Sequence, residues 1–195
     1  MCRPCNEAFA VSEAVHQSAV NQKALDDPPK GAWLTRTPKE AVIGATTRSK
    51  GAFFLLPFTL VWAGGSLGGI YGTQIASGEF QPLLCLFGLP FLIGSIFLSG
   101  MTLMSLFGKV EVRFDYHGDR VFTGIGPIGW TRKFVLSEVE SIKEESVSNA
   151  SDNAHNKCIV MEGKRRLKFA STLSDGRRYF MFNALRAAHQ QRVKR

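Results

Sequence analysis

Between Lys50 and Lys109 the chain runs for 58 residues, and Glu79 is the only one of them that carries a charge. No other feature limits so strongly what the chain can fold into. A helix or strand at the surface of a water-soluble domain shows a polar face, and this block has too few polar groups to supply one. The averages conceal it. With 45% hydrophobic residues, a net charge of +8 and a mean hydropathy close to zero, the 195-residue chain would pass for one basic soluble domain. The charge is unevenly spread: +2 before the block, −1 within it and +7 after it. This pattern argues against a free soluble protein.

The block divides into two spans, about 52–73 and about 82–107, each long enough as a helix to cross ~30 Å of hydrocarbon. In lipid every backbone N–H and C=O must be satisfied internally, so helix is the form expected of an isolated apolar pair. The short connector with Gly78 suits an antiparallel turn, and Pro57 and Pro90 are tolerable as kinks. A buried helical hairpin of a soluble protein is the alternative, but such helices usually carry a polar stripe. Residues 1–51 hold seven Lys and Arg, the connector none, and residues 108–195 seventeen. Basic flanks stay on the cytoplasmic side, so a multi-pass protein of the cell inner membrane with both termini cytoplasmic is expected. No apolar run lies near Met1, so the first span is expected to act as its own insertion signal.

Gly64, Gly65, Gly68, Gly69 and Gly72 form overlapping pairs four apart in the first span. Such spacing flattens a helix face and lets another backbone approach. The partner is either the second span, with Gly88, Gly94, Ser95 and Ser99, or a second copy of the chain. Trp62 lies too deep for an interfacial anchor, whereas Tyr71 lies near a span end. Neither span contains Asp, Glu, Lys, Arg or His, the usual marks of an ion or proton path, which argues against a transporter or pump.

After the spans, Val110, Val112, Phe114 and Tyr116 alternate with Lys109, Glu111, Arg113 and Asp115, the period of a half-buried strand. Further strands are expected at 120–125 and 130–136, around Val139 and Ile142, and in a hairpin of 157–161 and 165–170 turning at Glu162-Gly163. The polar run 147–156 reads as a loop. A final helix capped by Ser174 is expected to bury Tyr179, Phe182, Leu185 and Ala188 or His189. Before the spans, 32–35 and 41–47 read as two strands that would be unstable alone and so should join the later sheet. The first thirty residues have little apolar content, mostly alanine, and are expected to form a frayed helix over 7–25 or a flexible tail.

The run Phe134-Val135-Leu136-Ser137-Glu138-Val139-Glu140-Ser141-Ile142 resembles the strand, turn and strand of bacterial PH-like domains. So does the order of short strands closed by one amphipathic helix, and the run GAWLTRTPKEAVIGATTRS leading into a span is similar to the same arrangement. Domains of this kind often sit beside paired transmembrane helices in small uncharacterised bacterial membrane proteins. The resemblance covers roughly residues 31–193. It implies a membrane helical hairpin plus a small α+β domain, with a PH-like antiparallel sheet and one C-terminal helix. It also implies a membrane-side binding or scaffolding role, and it carries over no functional residues.

Chemistry has few carriers. Cys2-x-x-Cys5 has metal-like spacing, but zinc needs four ligands and a second pair is missing. Cys85 lies in a span and Cys158 in a strand, and a cytoplasmic domain keeps its thiols reduced. His16, His117, His155 and His189 fall in no nucleophile, metal or acid–base pattern, and no P-loop, nucleophile elbow or dinucleotide fingerprint occurs. No enzyme activity, cofactor or metal is therefore expected. The remaining hint is basic: Lys164, Arg165, Arg166 and Lys168 around one hairpin, Arg177 and Arg178 at the last helix, and Arg192, Lys194 and Arg195 at the end. Such clusters attract anionic lipid headgroups, although a solvated face obeying the positive-inside bias would look the same. No stacking aromatics are interleaved, so no nucleic acid is expected. Membrane lipids, a protein partner or a homo-oligomer are the partners this composition fits, with a subunit of an oligomeric complex or pore as the alternative function.

Overall fold

The computed structural model describes residues 22–116, 118–146 and 157–193. Cys2, Cys5, His16, His117, His155, Lys194 and Arg195 therefore lie outside the described residues, as do the 147–156 loop and most of the helix expected over 7–25. Element order is α1 (Gln22–Asp26), β1 (Ala32–Arg36), β2 (Glu40–Thr46), α2 (Ala52–Leu67), a π-helical turn (Gly68–Gly72), α3 (Thr73–Ser77), α4 (Pro82–Phe107), β3 (Gly108–Asp115), β4 (Asp119–Ile125), β5 (Ile128–Phe134), a 3-10 turn (Leu136–Glu138), β6 (Val139–Ser146), β7 (Lys157–Gly163), β8 (Leu167–Phe169) and α5 (Asp175–Val193). Contacts divide the chain into two compact units. One comprises the segment ending at Ala45, Glu111–Val121 and the chain from Arg132; the other comprises Thr46–Val110 and Phe122–Thr131.

The second unit contains the two long apolar helices, Ala52–Ser77 and Pro82–Phe107, each long and apolar enough to cross a membrane. The first continues four residues past Thr73, because the π-helical turn carries the backbone through Gly68–Gly72 without a break. Gly78 ends it in the left-handed conformation (φ +70°), which a residue without Cβ adopts at least cost. Pro82 then opens α4 at its first turn, where its missing N–H removes no helical bond.

Few polar groups hold this hairpin. Thr59 and Thr102 share a buried hydroxyl–hydroxyl bond of 2.7 Å across the helices. At the turn, the Gln74 side-chain oxygen accepts the Gln81 backbone N–H (3.0 Å) and the Cys85 thiol (3.3 Å). Tyr71 donates its hydroxyl to the Cys85 carbonyl at 3.1 Å. At the open end, the Thr47 N–H donates to the Gly108 carbonyl at 2.9 Å, and the Ser49 N–H to Ser105. Gly88 of α4 makes room for the Tyr71 side chain, since a Cβ there would strike its ring and hydroxyl.

The first unit is built on antiparallel strands and α5. Strands β1 to β5 form one sheet in sequence order, and β6 to β8 form a second. The single sheet expected from the strand pattern is thus two. The 3-10 turn divides them: Leu136 is buried and its N–H donates to the Asp119 carboxylate at 2.7 Å, which redirects the chain after β5. The pre-span strands do join the later sheet, with β2 next to β3. Trp33 opposes Gly44 across β1 and β2, and its indole fills the space a side chain at Gly44 would need.

The core of this unit combines Val42, Ile43, Val112 and Phe114 with Ile142, the β7 run Cys158–Met161, and Phe180, Met181, Ala184 and Leu185 of α5. Ser174 stands at the helix N-cap position, its carbonyl accepting the Arg178 N–H. The buried stripe of α5 differs from the one expected. Phe180, Met181 and Ala184 are buried beside Leu185, whereas Tyr179 is exposed. Two offset stripes satisfy the same helical period, and packing on the sheet selects one of them.

Asp119 joins three elements. It is 3% exposed and receives the guanidinium of Arg192 through two bonds of 3.0 and 3.1 Å besides the Leu136 N–H. The Arg192 charge is therefore committed to the fold rather than to an open basic cluster. His189 is likewise tied down, its ring nitrogen 2.7 Å from the Val139 carbonyl.

Candidate functional site

The expected basic patch is part of the first unit, and the structure divides it. Register decides this. Strand β7 continues through Gly163, which pairs with Val139, and a Cβ at Gly163 would collide with the Glu138 carbonyl. Gly163 is thus a strand residue under close approach rather than the turn glycine expected. The turn falls on Lys164–Arg166, and β8 shortens to three residues. Three consecutive cations are thereby lifted out of the sheet.

Opposite them stand Arg132 and Lys133 of β5. Arg132 donates to the Lys168 carbonyl of β8 at 3.1 Å, which brings the two strands together. A groove of about 770 Å³ opens there, lined by Arg132, Lys133, Lys164, Arg165, Arg166 and one acid, Glu138, over apolar Phe134, Val135, Val139 and Leu167. Five cations face one carboxylate.

Neighbouring acids decide which of these charges remain available. Lys164 lies 3.3 Å from Glu138. Glu145 on β6 binds Arg166 and also Lys168, the latter at 3.2 Å. Those two partners, Arg166 first, hold the Glu145 carboxyl below the usual carboxylate range. Lys143 and then Ser141 do the same for Glu162. Arg165 and Lys133 are exposed and make no ion pair among the described residues.

The other three predicted basic residues, Lys168, Arg177 and Arg178, do not line the groove, and Lys168 is the one paired with Glu145. Arg177 donates Nε to the Lys30 carbonyl at 2.9 Å. Arg178 is 4% exposed and is a correction to the surface patch. Its guanidinium binds Asp175, lies 3.5 Å from Glu144 and donates to the Leu173 carbonyl at 3.2 Å. A buried cation needs such partners, and α5 begins close to β6 and supplies them. Sequence reasoning missed Arg132 and Lys133 as groove residues. They stand out locally as a pair of charges ending an apolar strand, but nothing in the sequence links them to Lys164–Arg166.

The glycine face belongs to the second unit. A Cβ added at Gly64, Gly65, Gly68, Gly69 or Gly72 would meet nothing within 4 Å. The tight glycine of the hairpin is instead Gly88 of α4, which lies against the Tyr71 and Ile70 side chains. Among the described residues no three His, Cys, Asp or Glu side chains gather as a metal site needs. Cys85 and Cys158 are free thiols, and burial pushes the Cys158 thiol upward. No family model matches the chain, and no curated protein is significantly similar to it.

Proposed function

We propose that the chain is a non-enzymatic, integral inner-membrane protein whose helical hairpin spans the bilayer and whose PH-like domain binds anionic lipid headgroups in the β5/β7–β8 groove. The observation that carries the membrane reading is exposure. The two apolar helices leave most of their large side chains bare, including Phe53, Phe54, Val61, Leu83, Ile93 and Phe97. A soluble fold would not leave that surface in water, whereas lipid covers it without further contacts. The basic excess on both flanks supports cytoplasmic termini, with only the Glu79 turn on the far side. Two antiparallel sheets closed by one C-terminal helix support the PH-like resemblance.

Headgroup binding is supported by the cation excess of the groove and by its apolar floor, which suits the glycerol and upper acyl carbons of a lipid. Each basic residue near an anionic surface contributes about 1 kcal/mol. Purified full-length protein in neutral detergent, titrated with short-chain phosphatidylglycerol and phosphatidylcholine, tests the reading. Binding to the anionic lipid alone, abolished in Arg165→Glu/Arg166→Glu, is the expected result; equal binding of both lipids would sink it. Reporter fusions at Gly78 and Arg195 test topology, and a cytoplasmic reporter at Gly78 would reverse the orientation.

The open glycine face supports a second reading, a subunit of an oligomeric membrane complex or pore with that face as its seam. A discrete oligomer in detergent that dissociates on Gly68→Leu is its signature.

A further inference from the structure

The second unit contains an exposed apolar feature that neither the hairpin nor the groove uses. Strand β3 starts at Gly108, directly after the last residue of α4, and runs eight residues to Asp115. Strand β4 is its hydrogen-bonded neighbour, and only residues 116–118 separate the two. A connection that short can join neighbouring strands only as an antiparallel pair. The seven residues of β4 therefore retrace β3, at roughly 3.3 Å per residue, toward the end of α4. The Gly126-Pro127 turn comes back to about the level of Gly108. Two observations agree with this return. Phe122–Thr131 clusters with Thr46–Val110 in one compact unit, and the Lys109 ammonium lies 5.8 Å from the Phe122 ring centroid.

Just past that turn, Ile128 is 80% and Trp130 81% exposed. Two residues apart on β5, they lie on one face of the strand, and Phe107 at the end of α4 is exposed as well. Among the described residues nothing covers them. Strand β5 is also the last in its sheet, so the pair sits on an edge strand. Along β5 the side chains change from apolar to cationic, Ile128 and Trp130 first, Arg132 and Lys133 next. A bilayer surface presents the same order from acyl chains to phosphates, and tryptophan favours that boundary.

We propose that the β4–β5 turn is a second, interfacial membrane anchor. Ile128 and Trp130 enter the headgroup–acyl boundary beside the cytoplasmic end of α4, and Lys109 meets lipid phosphates. The assignment rests on the membrane reading of the hairpin. An added strand from a protein partner would use the same edge, but it would not require apolar residues at the level of a helix end.

Full-length protein in liposomes containing lipids brominated either near the headgroup or near the chain end tests the anchor. Wild type minus Trp130→Phe isolates the emission of Trp130, and wild type minus Trp62→Phe isolates that of Trp62. Neither substitution touches Trp33, whose ring covers Gly44. The anchor requires that shallow bromines remove most of the Trp130 emission and that aqueous iodide removes little. Quenching of Trp62 by lipid, with Trp130 open to iodide, would overturn the anchor and leave the hairpin standing. Trp130 shielded from both quenchers would overturn it in favour of a protein contact. Lipid quenching of neither residue would overturn the anchor and the membrane reading together.

Discussion

Phe180 and Phe97 are the same side chain in two different settings. Phe180 on α5 is 1% exposed, enclosed by the strands of the first unit; Phe97 on α4 is 70% exposed. The sheet unit follows the ordinary rule of folding in water, with apolar residues inside and committed ion pairs at the margin. The hairpin reverses it, with apolar residues outward and small or hydroxylated ones between the helices: Gly88, Ser95, Thr59 and Thr102 are buried there. On the proposed membrane reading, one physical difference accounts for both. Where the surrounding solvent is hydrocarbon, there is no gain from burying phenylalanine, and helices associate through close approach and hydrogen bonds.

The largest test of this contrast is the pair itself. Phe180→Ala should cost about 3–5 kcal/mol by losing buried area and opening a cavity. Phe97→Ala should leave denaturant unfolding of the sheet unit unchanged. A comparable loss in both, measured in the same micelles, would show that α4 is covered by protein after all. Asp119→Ala should rank next, at about 2–3 kcal/mol, because it strands the buried Leu136 N–H and releases a charged partner. Arg192 is itself half exposed, which keeps the cost below that of a fully buried pair.

Within the hairpin, the Thr59–Thr102 bond should be worth only about 0.6 kcal/mol, the usual value for interhelical hydrogen bonds in bilayers. A double-mutant cycle with Thr59→Val and Thr102→Val, read by steric trapping or unfolding in micelles, measures it. A coupling several times larger would mean that the helices pack in a drier and more rigid way than a simple hairpin.

The smallest expected effects concern the groove. Glu145→Gln frees Arg166 and Lys168 and should tighten anionic lipid binding about fivefold, the equivalent of about 1 kcal/mol. The pH dependence has a definite sign. Glu145 and Glu162 carry folded-state pKa values below the unfolded ones, so their stabilising contribution is complete above the ordinary carboxylate range. It is lost as pH falls through the lowered values. The melting temperature should hold from neutral pH to that range and decline only below it, with the decline smaller in Glu145→Gln. A melting temperature that climbs on acidification through that range would contradict this assignment of the ion pairs.

Much of the fold could be read in advance because it rests on local periodicity. The bounds of α4, the buried face of β3 through Val110, Val112 and Phe114, and the cap of α5 at Ser174 all follow from patterns a few residues long. Tyr116, expected on that face, lies past the strand end and is exposed, and Glu111, expected on the polar face, is buried. The other failures share a cause. The turn expected at Glu162-Gly163 moved to Lys164–Arg166 because the Glu138 carbonyl, 25 positions earlier, presses on Gly163. Arg178 was expected on the surface because nothing near it in the sequence foretells Glu144 as a partner. Two of the five groove cations, Arg132 and Lys133, became visible only when β5 met β8.

The sequence by itself determined that two uncharged helices must lie where hydrocarbon or another apolar surface can cover them, because no local arrangement satisfies 58 residues with one charge in water. It also determined the charge asymmetry about them and the strands and helix that follow. Only the tertiary structure decided which cations are spent and which are free: Arg178 and Arg192 are held by carboxylates, while Arg165 and Lys133 are left facing the groove. It likewise grouped the β4–β5 turn with the apolar hairpin in one compact unit. Charge count and hydropathy are sums over residues, but pairing and level depend on strand register. Register is set by contacts between segments far apart in the chain.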